Sequence, residues 1–299
     1  MKRVISLMKL TVGMALLGLL ATGCNVEREW ISSRNPSEAE AQEEVQKQAA
    51  FFDIEGSPEL DRAASELQDY VDGQCELLVE RTEKFVAAVE SGDVNKARTL
   101  YAPSRVPWER IEPIAEKFGT LDPEVDAREG DVPDKQWTGF HRIEQALWVE
   151  GTTEGQDRYA RELISDVERL ERQVDRVKLQ ASDPVFGAVE LLNEVSATKI
   201  TGEEERYSHT DLYDIAANVE GAKVAFDFVK PVVGRQNPDL VEEIEARFRD
   251  MDREMKPYRR GDGWVSYEKV DENERREFSQ KIDALAEPLS RVGRVLSGS

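Results

Sequence analysis

From residue 58 onward, apolar side chains recur every three or four positions, the spacing that gathers them on one face of an α-helix. Leu67, Val71, Leu78, Phe85 and Val89 make one such stripe, with Gln74 and Thr82 as polar interruptions, and Ser91-Gly92-Asp93 closes it. A second helix begins at Val94, is disturbed by Pro103 and Pro107, and resumes through Trp108 to Phe118. Further helical segments are predicted at Gly139 to Trp148, Gln156 to Leu179, Asp183 to Thr198, Asp211 to Val232, Pro238 to Tyr258 and Asp271 to Leu296, with breaks where Gly and Pro collect. No stretch alternates apolar and polar residues over any length, as a half-buried strand would. The pattern predicts an all-α fold of antiparallel helical bundles, two four-helix bundles packed together.

One stretch departs from the helical period. Residues 119–136 hold Pro123, Gly130 and Pro133 among the acids Asp122, Glu124, Asp126, Glu129 and Asp131. It reads as a loop too polar to pack, and loops of more than about a dozen residues are often functional.

The N-terminus obeys another rule. Lys2, Arg3 and Lys9 precede an apolar run from Leu10 to Leu20, which is too short for a bilayer core of roughly 30 Å and has the layout of an export signal. Ala21-Thr22-Gly23-Cys24 resembles a bacterial lipobox, in which Cys24 is acylated after cleavage. Residues 1–23 then form a signal peptide, and the Glu-, Gln- and Ser-rich stretch 24–57 a lipid-anchored flexible tether. Residues 58–299 form the folded domain, held at the extracytoplasmic face of the cell membrane. Simple secretion is the alternative.

Charge narrows the partners. The chain carries 61 acidic and 40 basic side chains, a formal net charge of −21, and loss of Lys2, Arg3 and Lys9 takes it to −24. Such a surface excludes nucleic acid on electrostatic grounds and disfavours adsorption to an anionic membrane face. It raises the local concentration of cations without selecting among them, and it also serves solubility. With Cys24 acylated, Cys75 is the remaining thiol, so no disulfide within the chain is available and stability must come from a core.

The candidate chemistry centres on one of the two histidines. In Gly139-Phe140-His141-Arg142-Ile143-Glu144, the carboxylate lies three residues after the imidazole, so the two are neighbours on a helix. The apolar stripe through Phe140, Ile143 and Leu147 carries Glu144 inward, and an inward carboxylate needs a partner. A core histidine bonded to a neighbouring turn is the plain alternative to a metal ligand. Glu109 and Glu112 repeat the spacing before Pro113, with Glu112 at the edge of the apolar face and Glu109 pointing further away, and Asp126 and Glu129 precede the His141 helix. One histidine among carboxylates makes a hard, oxygen-rich site suited to ferrous or ferric iron, manganese or calcium, and tolerant of zinc. His209 reads as structural, beside an N-cap at Thr210 or Asp211. There is no His-Glu-x-x-His pair, no Gly-x-Ser-x-Gly elbow and no Gly-rich phosphate loop, so a nucleophilic enzyme is not expected.

Tyr101 to Arg105, Glu109 to Glu116, Asp126 to Glu129, Gly139 to Trp148, Lys199 to Asp214 and Asn218 to Ala222 together resemble the EfeO family of iron-uptake proteins, within the imelysin superfamily. The resemblance implies a helical fold of paired bundles and a His-x-x-Glu metal motif matching His141 and Glu144. It also implies an extracytoplasmic, non-enzymatic role beside an EfeU-like ferrous permease and an EfeB-like haem peroxidase. Many relatives carry an N-terminal cupredoxin domain, whereas the tether before Pro58 has neither histidine nor methionine. Iron oxidation by this chain alone is therefore not expected. The function implied is capture of iron and its delivery to the permease. A metal-dependent peptidase of the imelysin class and a metal-free docking scaffold for permease and peroxidase are the alternatives.

Overall fold

The computed structural model describes residues 57–297, apart from Glu116, Phe118, Asp175 and Ala181. The expected signal peptide, Cys24 and nearly all of the tether lie outside the described residues. Among those described, helix dominates: α1 Pro58–Glu90, α2 Val94–Glu109, α3 Glu112–Ala115, α4 Leu121–Asp126, α5 Gly139–Gln145, α6 Asp157–Val174, α7 Asp183–Ala197, α8 Asp211–Gln236, α9 Pro238–Met255, α10 Glu272–Ser290 and α11 Val292–Leu296. The strands are β1 Arg259–Arg260 and β2 Gly263–Trp264, an antiparallel hairpin with Arg259 opposite Trp264. The fold is all-α, as the periodicity predicts.

The helices bury their stripes in two apolar clusters. One joins Val71, Leu78 and Phe85 of α1 to Tyr101 and Trp108 of α2, Phe140 and Ile143 of α5, and Leu163 and Leu170 of α6. The other joins Leu192 of α7, Ile215 and Phe226 of α8, Ile244 and Phe248 of α9, and Phe278 and Ile282 of α10. Each fully buried side chain of this size contributes about 1.5–3 kcal/mol. No helix among the described residues is long and apolar enough to cross a membrane.

Two local departures from expectation shape the region around His141. Helix α2 runs unbroken through Pro103 and Pro107 to Glu109. Pro107 lacks the N–H that would bond the carbonyl of Pro103, a loss that ordinarily breaks a helix; here Arg81 of α1 donates to that carbonyl at 2.8 Å. The acidic stretch also packs after all: Leu121 and Val125 are buried, and they make residues 121–126 a helix that points Asp126 inward.

Close backbone approaches then fix the helices around the centre. Gly139 has φ +82°, and a Cβ there would lie 2.2 Å from the carbonyl oxygen of Val125, so only glycine lets the start of α5 abut the end of α4. A Cβ on Gly221 would lie 2.4 Å from the Arg110 carbonyl, so glycine likewise lets α8 touch the end of α2.

Candidate metal centre

The polar centre of the molecule is built from chain segments far apart in sequence. Arg105, Glu109, Glu144, Lys199, Glu205, Asp211 and Asp214 are wholly buried, with Glu112, His141 and Glu204 nearly so. So many charged groups leave water only when each finds a partner or a proton.

Its two fixed cations organise the acids. The Arg105 guanidinium reaches Glu109, Asp126 and Glu205, the last at 2.6 Å, and lies over the Phe140 ring. Lys199 donates to Glu109 at 2.5 Å and to Glu112 at 2.7 Å, with Glu204 3.9 Å away. Burial pushes this ammonium toward losing its proton, but Glu109 and Glu112 hold its pKa well above the ordinary value. Asn218 donates to the backbone carbonyl of Glu109 at 2.6 Å and completes this corner. Contrary to the sequence reading, Glu109 does not point away; it is as deeply buried as any residue of the site.

His141 stands between two groups of carboxylates. Its Nδ1 lies 3.1 Å from Glu144 Oε2 and 3.3 Å from the Tyr101 hydroxyl, which in turn donates to Glu205 at 3.4 Å. With the tyrosine proton directed to Glu205, Nδ1–H donates to Glu144. Nε2 faces Asp126 Oδ1 at 3.5 Å and Glu204 Oε1 at 3.8 Å, and it has no well-formed hydrogen bond although it is buried. Asp126, His141 and Glu204 therefore offer three ligand atoms within 4.8 Å of one another, as do His141, Glu144 and Glu205 on the other side of the ring.

The acids outnumber the cations, and the proton affinities record it. Burial, reinforced by the charge of Glu144, raises Glu205 well above the usual carboxylate range, and burial with Glu205 and Glu109 does the same to Asp214. Burial raises Asp211 to about 6. Asp126 is instead held well below the range, because Arg105 and His141 outweigh its burial, and Lys199 and His141 likewise bring Glu204 to about 2. Burial and Arg105 oppose charge on His141, but the carboxylates of Asp126, Glu144 and Glu204 that face the ring keep its pKa well above the ordinary value. Both oxygens of Asp214 and one of Asp211 lack hydrogen-bond partners, with Arg105 3.5 Å from Asp214 Oδ1. The centre thus holds its acids partly with protons, which an added cation can displace.

Of the residues singled out in the sequence, His141, Glu144 and Asp126 come together here. Glu109 and Glu112 lie in the same centre on the Lys199 side. Glu129 stands at the surface, bonded to Tyr207 and Gln145. His209 is partly exposed, with Glu268 4.0 Å away, and the N-cap Thr210 makes no side-chain cap bond. Glu204 and Glu205 escape sequence reading because Glu203-Glu204-Glu205 has the look of a solvated charge run.

With this geometry in view, comparison with known proteins places the chain. The imelysin family model, filed as peptidase M75, matches residues 63–292. The chain belongs to the imelysin family. It is 42% identical over 241 residues to the iron uptake system component EfeO of Escherichia coli strain K12, covering 79% of this chain and 64% of that protein. The EfeO proteins of Shigella flexneri and Shigella sonnei strain Ss046 match with the same identity and coverage. The chain spans just under two thirds of these relatives' length. The EfeO resemblance carried by the motifs thus extends over most of the chain.

Proposed function

We propose that this protein is an extracytoplasmic lipoprotein, anchored through Cys24, that binds iron and delivers it to a membrane ferrous permease alongside a haem peroxidase. The iron is cargo, held between Asp126 Oδ1, His141 Nε2 and Glu204 Oε1. Glu144 is the carboxylate that accepts the hydrogen bond from Nδ1–H and so presents Nε2 as a ligand, the arrangement usual behind metal-bound histidine. Glu109 and Glu112 are paired with Lys199 and lie outside the shell, and Glu129 lies at the surface beside it.

The observation that carries this reading is the unbonded, buried Nε2 of His141, aimed between two ionised carboxylates. An apolar packing role would not leave it so placed. One nitrogen and two oxygens suit iron in either oxidation state and admit zinc or manganese. The names of the EfeO relatives support iron as the cargo.

Calorimetric titration of the soluble 276-residue form, which begins at Cys24, with ferrous iron, ferric iron, zinc and manganese tests the reading. Saturable binding of one iron, lost in His141→Ala and weakened at least tenfold in Glu204→Gln, is expected. Iron binding indifferent to both changes would overturn the ligand set. Peptide hydrolysis abolished by chelator would establish the peptidase alternative, and absence of metal binding the scaffold.

A further inference from the structure

We propose that residues 202–209 form a hinged strap that gates the metal centre, with the Tyr207 hydroxyl as its outer latch. The proposal rests on the reading of Asp126, His141 and Glu204 as the cargo site, and it explains how an ion reaches side chains that solvent does not.

The need for a gate follows from burial. His141 is 1% exposed, Glu204 3%, and Glu144 and Glu205 not at all, while Asp126 keeps 8% of its side chain exposed. An ion entering or leaving must move something, and the movable wall is the segment that carries both Glu204 and Glu205.

That segment is pinned at its two ends by backbone contacts and held between them by side chains. Tyr267 donates from its hydroxyl to the Ile200 carbonyl and from its backbone N–H to the His209 carbonyl, each at 2.8 Å. Arg275 donates to the Thr201 carbonyl at 3.0 Å and to that of Tyr267 at 3.1 Å, its guanidinium lying over the Tyr267 ring. One platform therefore holds both ends. At those ends the backbone turns left-handed, at Gly202 with φ 84° and at His209 with φ 54°, the single non-glycine residue with positive φ among those described. A histidine in this region is uncommon and marks a conformation imposed by its surroundings.

Between the pinned ends, two sets of contacts hold the strap down. Inward, the N–H groups of Tyr207 and Ser208 donate to Glu144 Oε1 at 3.0 and 2.7 Å, Arg105 pairs with Glu205 at 2.6 Å, and Arg128 donates to Glu204 at 3.0 Å. Outward, the Tyr207 hydroxyl donates to Glu129 at 2.6 Å and accepts from Gln145 at 3.2 Å, while Arg206 donates to the Glu129 carbonyl at 3.1 Å. The outward contacts lie at the surface, where water can replace each of them. Swinging the strap outward takes Glu204 and Glu205 away from His141 and uncovers Glu144 in one motion. Opening therefore admits the ion and weakens its site together, which suits a protein that must give its cargo up.

Tyr207→Phe tests the latch, because it deletes the hydroxyl and leaves the backbone N–H that bonds Glu144. Stopped-flow fluorescence with ferrous iron under anaerobic conditions should show association and dissociation both faster by about five- to tenfold, the range for losing an ordinary hydrogen bond at the protein surface. The equilibrium constant should stay within about twofold, since the latch closes the strap with or without metal. Hydrogen exchange without metal should quicken at the Tyr207 and Ser208 amides and not in α6. Unchanged rates, unchanged exchange, or a change in dissociation alone would overturn the gate. If both rates respond to Tyr207→Phe but iron binding survives His141→Ala, the gate stands and the ligand assignment fails. If the wild-type chain binds no iron, both fall.

Discussion

His141 and Glu144 are joined through Nδ1 and Oε2 at 3.1 Å, while the other oxygen of Glu144 accepts the backbone N–H groups of Tyr207 and Ser208. Hydrogen bonds from His141 and from Ser208 outweigh burial and hold the Glu144 pKa below the ordinary value. The carboxylate is thus an acceptor on both sides, and it ties α5 to the segment that carries Glu204.

Glu144→Gln separates orientation from charge. The amide oxygen can keep the two backbone donors, so its NH2 must face His141 and donate to Nδ1. That reverses the tautomer and places a proton on Nε2, where the metal should bind. Iron affinity is expected to fall by about 10- to 100-fold with helix content unchanged. Calorimetry beside circular dichroism checks this, and wild-type affinity in the variant would remove the orienting role.

Lys199→Met should be costly for a different reason. The ammonium is wholly buried against Glu109 and Glu112, and removing one partner of a buried pair strands the other. The expected loss is about 3–5 kcal/mol of unfolding free energy. Burial and the Glu194 charge already push Glu112 well above the usual carboxylate range, so it can take a proton and soften the loss. Urea unfolding of Lys199→Met beside Lys199→Met with Glu112→Gln should show the second change recovering part of the first.

Gly139→Ala tests the abutment of α5 on α4. A methyl group there meets the Val125 carbonyl at 2.2 Å in a left-handed backbone, and a cost of about 3 kcal/mol is expected. Iron affinity should fall too, because Asp126 directly follows Val125 and moves with it. Gly73→Ala is the control: Gly73 lies inside α1 with open space around it, and alanine there should stabilise by about 0.5–1 kcal/mol. Thermal unfolding of the pair distinguishes a local clash from a general intolerance of alanine.

The sequence made the helices legible wherever one face alone is apolar. Helix α6 shows this best, with Leu163, Val167, Leu170 and Val174 buried at regular spacing. Helix α2 was less legible because the group that rescues its proline, Arg81, comes from another helix. At the site, His141 and Glu144 could be read because they share a helix and a rare residue type. Glu204 and Glu205 could not: they sit in a segment without periodicity, and only the folded chain shows that the run of three acids turns two of them inward. Arg105 and Lys199 were hidden for the same reason, since a buried cation looks like a surface one until its partners are known.

The acid–base state of His141 predicts how iron affinity depends on pH. The imidazole is held protonated well above 6.5 by Asp126, Glu144 and Glu204, so below its raised pKa the proton on Nε2 competes with the metal. Asp126 and Glu204 are held ionised far below neutral pH and release no proton on binding near neutrality. Displacement of that proton makes iron affinity rise with pH below the raised imidazole pKa, by up to about tenfold per pH unit. The sign is set by the ligand that must be neutral: raising the pH favours binding, and acidification favours release. In His141→Asn the residual affinity should be lower and less dependent on pH, because no imidazole proton is displaced. Calorimetry in buffers of different ionisation enthalpy counts the released proton directly; a count near zero in the wild type would mean that His141 does not give its Nε2 to the metal.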